Sequence, residues 1–138
     1  METTLTAGAL TASASVPSGK STGSHEAREL RDADGGVAGA VGHVTGEITA
    51  AFSGHDFASA DEVDDFLIRL DGTADKSQLG ANAILSVSIA AQRLFAQHAG
   101  TPLWKAIAER TGTTPEAPRL FVNVINGGAH ADFKLPFQ

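Results

Sequence analysis

The sequence has no cysteine, no tyrosine and only one tryptophan. Without cysteine there can be no disulfide framework, no thiol nucleophile and no cysteine-based metal site. Positive charge is also scarce: ten Lys and Arg stand against sixteen Asp and Glu, for a formal charge of -6. That balance argues against a nucleic-acid backbone as the main partner. No apolar run is long enough to span a bilayer, and the N-terminus lacks a basic segment followed by an apolar core, so no membrane partner is expected. A cytoplasmic chain is the default expectation.

The 138 residues are 42% apolar and 19% charged, an ordinary globular balance that fits one domain, or one domain and part of another. Leu5, Leu10, Ala12, Ala14 and Val16 predict two short strands joined by a turn near Ala7-Gly8-Ala9. The stretch "VPSGKSTGSHEARELRD" that follows has the Pro, Gly and Ser density of a loop.

Helical spacing begins at Val37. Val37, Val41, Val44, Ile48, Ala51 and Phe52 recur every three or four residues, although Gly39, Gly42 and Gly46 weaken the helix. A second helix is expected from Ser59 to Leu70, capped by Ser59 or Asp61, buried through Val63, Phe66, Leu67 and Leu70, and closed by Asp71-Gly72-Thr73. Its acidic cluster, Asp61, Glu62, Asp64 and Asp65, reads as a solvated helix start. The most apolar helix runs from an N-cap at Ser77 to Gly100, and most of its circumference should be buried. Thr101-Pro102 then restarts a helix, Thr as cap and Pro as first helical residue, with Leu103, Trp104, Ile107 and Ala108 as its apolar face. A proline-containing linker without apolar periodicity precedes a lone strand, Leu120 to Ile125, and then Asn126-Gly127-Gly128.

Three stretches together resemble the enolase family: "ASVPSGKSTGSHEARELRD" (14–32), "DGTADKSQLGANAILSVSIA" (71–90) and "VNVINGGAHADFKLPFQ" (122–138). The resemblance implies an α+β fold, a short antiparallel sheet packed on helices as in the enolase N-terminal cap domain, over residues 1–112. A linker at 113–119 and the first strand of an α/β barrel at 120–138 would follow. It also implies that the family's opening strand, and nearly all of the barrel, lie outside this sequence.

By the same resemblance the activity is that of phosphopyruvate hydratase, a lyase converting 2-phosphoglycerate to phosphoenolpyruvate with Mg²⁺ in glycolysis. The full-length family is a cytoplasmic homodimer, with some members also at the cell surface. Ser21 matches the loop serine that holds the second magnesium through its hydroxyl and carbonyl oxygens. His130 and Gln138 match substrate-binding residues. The catalytic glutamates, the lysine base and the acidic magnesium ligands match no residue here, so the catalytic set is empty and magnesium binding by this chain is expected to be weak or absent.

Lys20 receives no role, and Phe133 departs from the Asn that many relatives carry. His25 and Glu26 read as solvated, and Arg31-Asp32 as holding the loop rather than doing chemistry. His43, His55 and His98 are taken as structural or surface residues. Two other functions stay open: a non-catalytic interaction module, and the product of a partial gene.

Overall fold

A computed structural model describes residues 1–19, 22–128, 132, 134 and 135. Its elements run β1 (Glu2–Ala7), β2 (Leu10–Ser15), α1 (Ala38–His43), a π-helical segment (Val44–Ile48), α2 (Thr49–Phe52), α3 (Ala60–Asp71), α4 (Ala81–His98) and α5 (Leu103–Thr111). This is the expected α+β arrangement, an antiparallel hairpin laid on helices.

The hairpin forms where the sequence places it. Gly8 takes φ +60°, the left-handed conformation that a two-residue hairpin turn requires, and glycine adopts it without a Cβ clash. Glu2 pairs with Ser15 and Ala7 with Leu10, so alternate side chains face opposite ways. Thr3, Ala12 and Ala14 are buried. On the outer face Thr4 bonds Ser13 at 2.7 Å and Ser15 donates to Glu2 at 2.9 Å. That face is wholly polar, which suits a sheet covered by helices on one side only.

The helical run from Ala38 to Phe52 differs from a regular helix. The π-helical turn at Val44–Ile48 inserts an extra residue, and Thr49 Oγ1 reaches back five residues to the Val44 carbonyl at 2.6 Å. Ala40 and Ile48 are buried and Val37, Val44 and Phe52 pack beside them, whereas Val41 is 41% exposed, against expectation.

Ser59 caps α3 by accepting the Glu62 N–H at 3.2 Å, while the Glu62 carboxylate accepts the Ala58 N–H. Val63 and Leu67 are buried against α4, and Gly72 ends the helix at φ +69°. Asp64 is not merely solvated, because it accepts from Ser88 of α4 at 2.6 Å and from Arg110 of α5 at 3.1 Å. Arg110 also pairs with Asp61, so one guanidinium joins α3 and α5. Burial acts to lower the Arg110 pKa, but its bonds to Asp64 and Asp61 outweigh this and raise it.

Helix α4 is the centre of the domain, lying across both strands and against α3. Ala83, Ile84, Val87, Ala90, Ala91 and Leu94 are buried, with Leu67 and Leu79 at 0% exposure beside them. Full burial of each Leu or Val stabilises by roughly 1.5–3 kcal/mol. Ser86 is polar within this layer and is satisfied twice, by the Ala83 carbonyl at 2.8 Å and Thr3 Oγ1 at 2.7 Å. Ser77 does not cap α4. The helix begins four residues later, after Gly80, because residues 71–79 are folded into a closed turn around Asp71. Gly100 takes φ +62° just past its end, as expected.

Helix α5 starts at Leu103 with Pro102 as its N-cap, one residue later than expected, and Thr101 bonds backward to the Ala99 carbonyl instead. Its apolar face is mostly uncovered: Ala108 is buried, but Trp104 is 62% exposed and Ile107 44%. Residues 113–127 contain no helix or strand. The strand expected at Leu120 to Ile125 is therefore not formed, and Phe121 and Val124 are 92% and 85% exposed. A single extended segment has no ladder partner to satisfy its N–H and C=O groups, so water takes them.

Candidate functional site

The glycine-rich segment between β2 and α1, which carries Ser21, is tied down at both ends. At the first end Ser18 Oγ donates to Glu29 at 2.9 Å, and Arg31 pairs with the other Glu29 oxygen at 2.8 Å. At the second end the backbone of Arg28 to Leu30 docks on the start of α4. The Arg28 N–H donates to the Asp75 carbonyl at 2.6 Å, and the Ala81 N–H donates to the Arg28 carbonyl at 2.8 Å. Asn82, 2% exposed, accepts the Leu30 N–H through Oδ1 at 3.2 Å and donates to the Leu30 carbonyl through Nδ2 at 3.0 Å. Its amide imitates a β-ladder partner.

Gly80 permits this approach. A Cβ there would fall 2.6 Å from the Leu30 Cβ and 2.7 Å from Asn82 Oδ1, and the residue takes φ +91°. Next in the chain, Asp32 accepts from Ala38 N–H at 2.6 Å and Gly39 N–H at 3.1 Å, capping the entrance of α1. Arg31 also reaches the Gly35 carbonyl at 2.8 Å. The Arg31-Asp32 pair thus shapes the backbone, as its sequence reading held.

Beneath this stem lies Asp71, 1% exposed. Its carboxylate accepts the Leu79 N–H at 2.8 Å, the Thr73 N–H at 3.0 Å and the Thr73 hydroxyl. Burial alone raises a carboxyl pKa, but these bonds and the nearby Lys76 charge outweigh it and hold Asp71 below its ordinary value. Thr73 Oγ1 in turn accepts the Ser77 N–H at 2.8 Å, and Lys76 Nζ donates to the Thr73 carbonyl at 3.0 Å. The Asp75 carboxyl is also lowered, chiefly by the Ser77 side chain. Sequence reading took Asp71 for a turn residue and gave Asn82 no role. Their only local signal was a carboxylate and an amide flanking the glycine-bounded "DGTADKSQLGAN" stretch.

Ser21, His130 and Gln138 lie outside the described residues, as do Lys20 and Phe133. Gly128, just before His130, takes φ +56° and donates to the Leu135 carbonyl at 3.0 Å. His25 and Glu26 are exposed. Among the described residues no group of three or more His, Asp or Glu side chains could hold a metal ion. His43 pairs with Glu47 at 3.3 Å. His55 and His98 line an open cleft of about 520 Å³ together with Phe52, Phe57, Phe95 and Leu10, and the residues of the loop after β2 do not line it. No helix among the described residues is long and apolar enough to cross a membrane.

A family model described as "Enolase, N-terminal domain" matches residues 1–107. That span contains the hairpin, the clamped loop and the Asp71 turn in one continuous block, and the chain belongs to the enolase family.

Proposed function

We propose that this chain supplies the N-terminal part of a phosphopyruvate hydratase, a lyase that dehydrates 2-phosphoglycerate to phosphoenolpyruvate in glycolysis. The observation that carries this reading is the docking of residues 28–32 on α4, beside the loop that bears Ser21. A loop held at its stems suits a segment that closes over a small phosphorylated substrate. In the complete enzyme Ser21 would offer neutral oxygens to the second magnesium, and His130 and Gln138 would contact substrate. The assembled enzyme would be a cytoplasmic homodimer.

The described residues hold no group of three or more His, Asp or Glu side chains suited to a metal ion, and weak or absent magnesium binding is expected of the chain alone. One serine cannot hold a hard dication that wants about six oxygens, carboxylates among them. Enolase-superfamily chemistry needs a Lys or His base and one or two Mg²⁺ to stabilise the ene-diolate. A dianionic intermediate of that kind demands dense positive charge, and none of the resembling positions provides it. The chain by itself therefore binds no substrate productively and turns nothing over.

The test is a dehydratase assay on purified residues 1–138 with Mg²⁺ and 2-phosphoglycerate, repeated after adding a separately expressed enolase barrel. Activity only in the mixture supports the reading. Turnover by the chain alone, in protein free of host enolase, defeats the claim of inactivity, and no turnover in either arm removes support for the assembly.

A second reading, an interaction module without catalysis, is favoured by the apolar surface left open at Trp104, Ile107 and Leu120 to Ile125. Capture of a barrel polypeptide without gain of activity would favour it.

A further inference from the structure

We infer that Asn82 is a positioning residue for the loop that follows β2, acting through the backbone of Leu30. The inference rests on the enolase reading only in what the loop is for; the clamp itself stands on geometry. Asn82 is buried in the first turn of α4, where its neighbours Ala83 and Ile84 face the core. Nothing in helix formation calls for an amide there, and an apolar residue would fill the space. Instead, both ends of the amide are spent on the backbone N–H and carbonyl of one residue 52 positions earlier.

The consequence is a boundary. Arg28 and Leu30 are bonded to Asp75, Ala81 and Asn82, and Ser18 is bonded to Glu29. Between Gly19 and Ala27, among the described residues, the bonds are local: Glu26 N–H to the Gly23 carbonyl and Ser18 Oγ to the Gly19 carbonyl. The loop is thus anchored on its C-terminal side against the start of α4, and its N-terminal side is bonded to Glu29 within that same stem. Leu30 cannot slide, because shifting it by one residue would leave the buried Asn82 amide without partners. Gly80 makes the contact possible, since only a residue without a Cβ lets Leu30 lie this close.

Two variants separate hydrogen bonding from volume. Asn82→Leu keeps approximate size and removes both bonds; Asn82→Asp keeps shape and the acceptor for Leu30 N–H but removes the donor to the Leu30 carbonyl. Backbone amide exchange of the full chain is measured at Arg28 and Leu30 and, as reference, at Ile84 to Ala91. We expect Leu30 to exchange about tenfold faster or more in Asn82→Leu, with a smaller rise in Asn82→Asp, while the reference amides of α4 keep their protection. Unchanged exchange at Leu30, or equal loosening of Leu30 and α4, would overturn the inference, the second outcome making Asn82 an ordinary core residue. Should Asn82→Leu fail to fold, Asn82→Asp alone decides by the same comparison. The measurement needs neither magnesium nor substrate, so failure of the clamp is distinct from failure of the enolase reading, which the dehydratase assay decides.

Discussion

Asp71, the last residue of α3, accepts the backbone N–H of Leu79 at 2.8 Å, and this one bond closes the turn that delivers the chain into α4. Leu79 is wholly buried, so the bond places a core side chain and sets a helix start together. The Arg28 to Leu30 stem docks on the same turn, through Asp75, Ala81 and Asn82. Asp71 is therefore the foundation of the loop scaffold although it lies outside the loop.

Replacing Asp71 by Ala strands the N–H groups of Leu79 and Thr73, and should cost on the order of 2–4 kcal/mol, read by urea unfolding. Asp71→Asn keeps one acceptor and should cost less. The pH dependence follows from the lowered pKa: the ionised carboxylate's contribution is fully present above the ordinary carboxylate value and is lost as pH falls through the lower folded value. The stability gap between the wild type and Asp71→Asn should therefore narrow below about pH 4. A gap that widened on acidification would reverse the sign of the effect.

Gly80→Ala should be among the costliest glycine substitutions in the chain. The added Cβ meets Leu30 and Asn82 inside van der Waals distance at a positive φ, which together should cost roughly 2–4 kcal/mol. Gly100→Ala, at φ +62° with nothing within 4 Å, should cost only about 1 kcal/mol. Thermal melts of the two variants side by side check the difference, and equal losses would mean that the Leu30 contact relaxes freely.

Magnesium should bind the isolated chain weakly or not at all. The described residues provide no three-residue ligand cluster, and Asp61 and Asp64 are already engaged by Arg110. Calorimetry that returned sub-millimolar affinity would reveal a site of another kind.

Deleting residues 119–138 should raise solubility and reduce any oligomer population while leaving the helical core folded. Leu120, Phe121, Val122 and Val124 are each at least 77% exposed, and exposed apolar segments of high β-propensity promote association. Sedimentation of both chains reads the oligomer population, and amide exchange reads the segment. Protection of Val122 to Ile125 equal to that of Ile84 to Ala91 in a monomeric sample would show that the segment docks on its own domain.

What the sequence determined by itself is local. Gly8 marks the hairpin turn, Ser59 or Asp61 marks the start of α3 (the structure selects Ser59), and Gly72 and Gly100 mark helix ends, because a cap or a left-handed glycine acts within four residues of itself. The three family stretches were legible for the same reason, being continuous runs. Tertiary structure decided the rest. The start of α4 moved from Ser77 to Ala81 because the Asp71 carboxylate finds its partner eight residues onward and reshapes the intervening turn. In the first helical run Ala40 rather than Val41 is the buried residue, because packing against the rest of the domain, and not periodicity, decides which side chain is covered. Helix α5 has a clear apolar face that its own domain leaves largely uncovered, which periodicity cannot reveal, since it states that a face is apolar and not whether a partner lies within reach. Asn82 is the sharpest instance. In sequence it is one polar residue at the head of an apolar helix. Its meaning depends on Leu30, and only folding brings a buried amide to a backbone that distant, where leaving either group unpaired would cost more than ordering both.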